Sequence, residues 1–137
     1  MSLLDPVVIR IGLPEASHVF IEITGWDPAE YWMRGTVEVA AGPWRGACSA
    51  CFYMGEFRQL AADIDRLHSD LTGRIEFRPM EPYLQLTLIG DGKGHVTVSG
   101  QANDQYSDGN SIHFRMDLDQ TDLPVIARSL RAADPIL

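Results

Sequence analysis

Residues 112–119 of this chain read Ile-His-Phe-Arg-Met-Asp-Leu-Asp, and this alternation decides the fold class. Apolar and polar side chains alternate along this stretch, and successive side chains of a β-strand point to opposite faces of a sheet. The stretch therefore predicts a strand with one face on a core and the other in water. Burial on one face only is typical of antiparallel sheets.

The same pattern extends outward from this stretch towards the N-terminus. In residues 83–88 and 95–99, leucines or valines alternate with polar side chains, and the glycine-rich residues 90–94 between them predict a hairpin turn. β-Branched or alternating residues predict four earlier strands at 7–11, 19–24, 32–40 and 45–53.

Two segments follow the period of a helix instead. Apolar residues recur at three-and-four spacing over residues 57–71, and Gly73 is placed to end that helix. A short second helix is expected to begin at Thr121 as N-cap and to end before Pro135. The fold class is therefore α+β: a curved antiparallel sheet of about seven to eight strands in meander order, with both helices packed on one face.

Length and composition limit the classes of protein. The chain has 137 residues, enough for one domain spanning residues 1–137, and residues 1–5 are expected to be disordered, with Met1-Ser2-Leu3 partly derived from cloning. An apolar content of 45% excludes a disordered chain. The formal net charge of -8 argues against nucleic acid and anionic membranes as partners. No stretch predicts a membrane span or an export signal, so we expect a cytoplasmic protein.

Cys48 and Cys51 have the spacing of a redox or zinc pair. They fall inside a predicted strand, however, where residues three apart point to opposite faces. No second cysteine pair completes a zinc site. Packing is the favoured interpretation, and a metal or redox role is the alternative.

Two loops have compositions that resemble ligand sites. Residues 90–94 connect two strands, whereas a phosphate-binding loop leads into a helix. The polar residues 104–110 lack the acid positions of a calcium-binding loop. Neither a cofactor nor a metal is therefore expected.

The polar side of the last strands carries the candidate functional residues. His95 and His113 are expected on the same outer face, near Arg115 and Asp117, where two imidazoles could meet and act as acid and base. This leaves open a small-molecule-binding protein or a small hydrolase that uses both histidines. A second group, comprising Trp26, Tyr31, Trp32 and Trp44, fits either core packing or partner contact.

Four segments together resemble a known family. They are residues 94–100, residues 114–124 with the sequence Phe-Arg-Met-Asp-Leu-Asp-Gln-Thr-Asp-Leu-Pro, the upstream Tyr-Trp-Met-Arg-Gly at 31–35, and the helix at 57–73. Over roughly residues 26–133 the chain is similar to the small bacterial WapI-like immunity proteins. It departs from them at Asp122, where family members often carry an aromatic residue.

The resemblance implies a non-enzymatic protein that neutralises the toxic C-terminal domain of a contact-dependent toxin. We expect the outer sheet face to bind that domain, and an acidic protein would be attracted to a basic toxin. Pairing of exposed sheet edges in a homodimer is also left open. The predicted partner-binding residues are Tyr83, Gln85, His95, His113, Arg115 and Asp117.

Overall fold

Within residues 5–135, the strands form two antiparallel sheets, each a meander of four. The computed structural model describes residues 5–135, so the expectation for residues 1–4 lies outside the described part of the chain. The first sheet contains β1 (Val7–Gly12), β2 (His18–Asp27), β3 (Trp32–Ala41) and β4 (Trp44–Tyr53). The second contains β5 (Thr72–Phe77), β6 (Leu84–Asp91), β7 (His95–Asn103) and β8 (Ser111–Asp119).

The α+β class and the antiparallel meander order are confirmed. The structure differs from the expectation of one continuous sheet, because helix α1 (Glu56–Asp70) stands between β4 and β5 and these two strands do not pair. Strand β5 was not among the segments identified from the sequence. Its polar residues outnumber its two buried side chains, Ile75 and Phe77.

The helices begin and end close to the predicted positions. Helix α1 ends at Asp70, and Leu71 takes the left-handed conformation, with φ 62°, that was expected further along at Gly73. A short 3₁₀ helix (Gln120–Asp122) leads into α2 (Leu123–Ala133). The predicted cap at Thr121 is wrong. Asp122 precedes α2 without a side-chain cap, and Asp119 caps the 3₁₀ helix, where it accepts a hydrogen bond from the Thr121 backbone N–H at 3.0 Å.

A continuous core joins both sheets and both helices. Helices α1 and α2 pack against each other, α2 also contacts β1, and α1 also contacts β5. The Trp26 indole N–H donates to the carbonyl oxygen of Ala133 at 2.7 Å, which fixes the end of α2 to the first sheet. Within residues 5–135, no helix combines the length and the hydropathy needed to cross a membrane.

Candidate partner-binding face

The outward side of the second sheet is a contiguous surface, which we call the polar face. Alternation buries Leu86, Val98 and Met116 on the core side and leaves their sequence neighbours outside. Strand register then sets the outer side chains in rows across β6, β7 and β8. The rows are Gln85–Gln101–His113, Thr87–Ser99–Arg115 and Ile89–Thr97–Asp117, with His95 opposite Asp119 beyond them.

Five of the six predicted partner-binding residues lie on this face, but the two histidines are not together. His95 is next to Asp117, with 3.1 Å between Nε2 and Oδ1, and the two side chains are 52% and 65% exposed. His113 pairs with Gln101, which is six residues along β7 from His95. Six residues of a strand span roughly 20 Å. The expectation that the two imidazoles meet is therefore wrong.

Several groups on the polar face are available to a partner. Among residues 5–135, no side chain forms a hydrogen bond or an ion pair with Arg115 or with the imidazole of His113. Arg78, by contrast, is held in place: its guanidinium donates to the Leu86 carbonyl oxygen at 2.7 Å and to the Thr87 hydroxyl at 2.9 Å. The face thus combines fixed and unengaged polar groups.

An exposed aliphatic side chain lies on the polar face near the turn between β6 and β7. Ile89 is 42% exposed, because it lies in the same outward row as Thr97 and Asp117. On its other side it pairs with Arg74 of β5. Interfaces commonly combine apolar contacts with a polar rim. Sequence reasoning missed Ile89, although its alternation with Leu88 was a signal that could have placed it outside.

Tyr83 is placed away from the other five predicted residues. It precedes β6 and lines a groove of about 190 Å³ with Trp32, Arg34, Cys51, Glu81 and Tyr106. Burial of the phenol raises the pKa of Tyr83. The alternation that linked Tyr83 to Gln85 did not reveal this, because Tyr83 lies before the strand begins.

The two cysteines point to opposite sides of β4. The Cys48 thiol faces inward and donates to the Asn103 carbonyl oxygen at 3.5 Å, while Cys51 lines the Tyr83 groove. Burial raises the pKa of Cys48, and a protonated thiol is a poor nucleophile and metal ligand. Within residues 5–135, no three His, Cys, Asp or Glu side chains are grouped as metal ligands.

The glycine-rich and polar loops are both held by aspartates. In the turn between β6 and β7, Asp91 accepts hydrogen bonds from the backbone N–H groups of Lys93 and His95, at 2.7 and 3.1 Å. In the loop between β7 and β8, Asp104 accepts from the backbone and side-chain N–H groups of Asn110, at 2.7 and 2.9 Å. These carboxylates close the turns on themselves.

The four aromatic residues of the first third of the chain divide between the two expected roles. Trp26 is buried in the core, and Trp32 stacks on Tyr53 with 3.9 Å between ring centroids. Tyr31 and Trp44 are exposed. Only part of this group therefore serves the core.

Comparison with known proteins agrees with this architecture. The model of the immunity protein WapI-like family matches residues 10–133. The chain belongs to the WapI-like family. The match includes both sheets, both helices and the whole polar face. No curated protein matches the chain.

Proposed function

We propose that this WapI-like protein is a cytoplasmic immunity protein that binds and blocks the toxic C-terminal domain of a contact-dependent toxin. Membership of the family over residues 10–133 is the observation that carries the proposal. An immunity protein acts by occluding its target, so it needs a binding surface rather than a catalytic centre. The polar face is the surface that we assign to this role.

The composition of the polar face supports specific recognition. Ile89 supplies an apolar contact, and Arg115 and His113 offer hydrogen-bond donors without partners among residues 5–135. Basic Arg74 and Arg115 alternate with acidic residues such as Asp117, so the face itself is not uniformly acidic. A pattern of both signs selects a partner by complementarity and rejects partners with like charges opposite.

The net charge of -8 has a separate role in this proposal. A basic toxin domain, such as a nuclease, would be attracted at long range by the summed charge and would then dock on the patterned face. The alternative of a hydrolase with two cooperating histidines is not retained, because the register separates His95 from His113.

A growth-rescue experiment tests the function. Toxic C-terminal domains of the contact-dependent toxins of the source bacterium are expressed one at a time in a sensitive host, with or without this protein. We expect growth to be restored against one of them, and the purified pair to form a complex measurable by calorimetry. If growth is restored against none of the toxin domains, the proposal is contradicted.

A double variant tests the assigned face. Arg115→Ala with Asp117→Ala should weaken toxin binding at least tenfold, which is about 1.4 kcal/mol. The free energy of unfolding should stay within about 0.5 kcal/mol, as expected of surface positions. The matched control removes the exposed ion pair of Asp65 and Arg131, which joins the two helices away from this face. Equal affinity of both double variants would exclude the polar face.

A further inference from the structure

Within residues 5–135, no strand pairs with the outer edge of β4. In that part of the chain β4 pairs with β3 alone, and their register runs without a bulge from Trp44 to Tyr53. The Tyr53 backbone N–H donates to the Glu56 side chain, whereas the next N–H, of Met54, donates to the Tyr31 carbonyl oxygen beside β3. Because backbone groups alternate in direction along a strand, the odd-numbered residues of β4 present theirs to the open edge.

The first half of this edge lacks the usual protection against pairing. Residues 44–48 read Trp-Arg-Gly-Ala-Cys, with small side chains and one charge. Proteins commonly block exposed edges with several charges, a bulge or a covering loop. Among residues 5–135, no other backbone group bonds to the odd-numbered Arg45 or Ala47. A second strand could therefore add here.

An apolar pocket opens beside the same edge. The core-facing sides of β3 and β4 form one wall, through Val37, Val39, Gly46 and Cys48. The other wall is formed by Ala102 and Ile112 at the ends of β7 and β8, with polar residues at its rim: Asn103, Asp104, Asn110 and Ser111. The pocket has a volume of about 240 Å³. Pockets for drug-sized ligands start at roughly 300 Å³, so this one suits a large side chain.

Trp44 is a large apolar side chain without cover. By alternation it lies on the core-facing side of β4, like Gly46 and Cys48, yet it is 70% exposed. Along its own strand it is two residues from Gly46, so it stands beside the pocket rather than over it. An exposed indole and an unfilled apolar pocket thus occur on one edge.

We infer that this edge binds a second copy of the chain. Two β4 strands pair antiparallel about a two-fold axis at Gly46, which places Trp44 of each copy opposite Cys48 of the other. Paired residues of antiparallel strands share a face, so each indole enters the other copy's pocket. Such an interface is self-complementary, as a two-fold dimer requires.

Charge complementarity supports the second copy as the occupant. In this register Arg45 of one copy pairs with Ala47 of the other, and Ala47 is itself paired with Glu38 of β3. The two steps across the strands sum to roughly 10 Å between the Cα atoms of Arg45 and Glu38, within reach of two long side chains. Arg45 has no ion-pair partner among residues 5–135. Glu38 already contacts His18, with 2.8 Å between Oε2 and Nε2, but its side chain is 51% exposed and can meet a second cation.

Sedimentation of the purified protein tests the inference. We expect a dimer at about 100 µM, and Trp44→Ser should raise the dissociation constant of the dimer about thirtyfold or more, as for an interface hot spot. Ala47→Pro should also give a monomer, because it removes an N–H that faces the open edge and not β3. Val125→Ser, at an exposed apolar position on α2, is the matched control and should leave the dimer intact.

A charge-exchange experiment tests the pairing directly. Arg45→Glu and Glu38→Arg each place like charges at both contacts of the dimer, so each variant alone should be monomeric. A mixture of the two restores opposite charges at both contacts and should dimerise. Glu38→Arg removes the contact with His18. If that variant does not fold for this reason, the results for Trp44→Ser and Ala47→Pro test the inference instead. A wild type that stays monomeric, or a Trp44→Ser variant as dimeric as wild type, would overturn the inference and leave the edge to a different protein.

Discussion

At the residue scale, one buried side chain, that of Asp134, joins the two helices. Helix α1 begins after Gly55, which has no side chain to cap the first backbone N–H groups. The Asp134 carboxylate, at the end of α2, takes this role: Oδ2 accepts from the N–H groups of Gly55, Phe57 and Arg58 at 2.7, 3.2 and 3.3 Å. Asp134 is fully buried, so no water replaces these bonds if they are lost.

Replacing Asp134 should therefore destabilise the fold strongly. Asp134→Ala leaves backbone donors unpaired at a buried helix start, and we expect a loss of about 2–4 kcal/mol in the free energy of unfolding measured in urea. Asp70→Ala, at an exposed carboxyl near the end of α1, is the control and should change the value by less than about 0.5 kcal/mol. A similar small change for Asp134→Ala would show that this cap does not stabilise the fold.

Contacts of single side chains were the features that the sequence predicted least well. Alternation correctly placed Gln85, His95 and Arg115 on one face, since it depends only on neighbours in the chain. The Asp134 cap is a contact between residues 77 positions apart, as with Phe57. No local pattern reports such a contact. The ring position of Tyr83 likewise depends on Trp32 and Cys51 of the other sheet.

At the element scale, a bulge in β2 interrupts the regular pairing of β2 with β3. The register shifts between Ile23 and Gly25, and Gly35 of β3 lies against it. A Cβ atom at Gly35 would lie 1.7 Å from the Glu22 carbonyl oxygen, whereas at Gly25 it would meet only the Arg34 Cβ atom at 3.9 Å. Close backbone approach thus requires a glycine at position 35 and not at position 25.

This difference predicts opposite outcomes for two alanine substitutions. Gly35→Ala forces the two strands apart, and we expect a loss of at least about 3 kcal/mol in the free energy of unfolding. Gly25→Ala, the matched control at the same bulge, should cost less than about 1 kcal/mol. Thermal or urea unfolding of both variants measures the difference. Equal stability of the two would mean that the strands do not approach so closely in solution.

Elements with a strong local period were predicted best. The helix over residues 57–71 was predicted within one residue of the observed Glu56–Asp70, because its apolar stripe is long and regular. Strand β5 was missed, since Thr72–Phe77 is short and its first three residues are all polar or glycine. Because β5 was not predicted, Arg74 and Arg78 were not included in the predicted polar face.

The division into two sheets is a property of the whole molecule that alternation does not contain. Each strand has the same inside and outside whether β4 meets β5 or a helix stands between them. For the same reason, alternation placed His95 and His113 on one face without giving their separation, which is set by the register of β7 and β8. Fold class and face were therefore predictable, whereas sheet number and the spacing of site residues were not.

Three turn aspartates make the stability of the whole molecule depend on pH. The pKa of Asp91 is lowered chiefly by the hydrogen bond from the Lys93 backbone N–H, and that of Asp104 chiefly by the side-chain amide of Asn110. The pKa of Asp119 is lowered chiefly by the Thr121 backbone N–H. All three carboxyls therefore hold protons less tightly in the folded state than in the unfolded chain.

The sign of the pH effect follows from this difference. The ordinary pKa of these carboxyls is 3.8, and the folded-state pKa lies below it. Their stabilisation is complete well above pH 3.8, and it is lost as the pH falls from there through the folded-state pKa values.

The triple variant Asp91→Asn, Asp104→Asn and Asp119→Asn should thus be less stable at pH 7 and show a shallower decline in the free energy of unfolding below about pH 5. Urea unfolding at a series of pH values measures this, with Asp70→Asn as control for the loss of a surface charge. A triple variant that loses stability on acidification as steeply as wild type would show that these turns do not hold their charged carboxylates in solution.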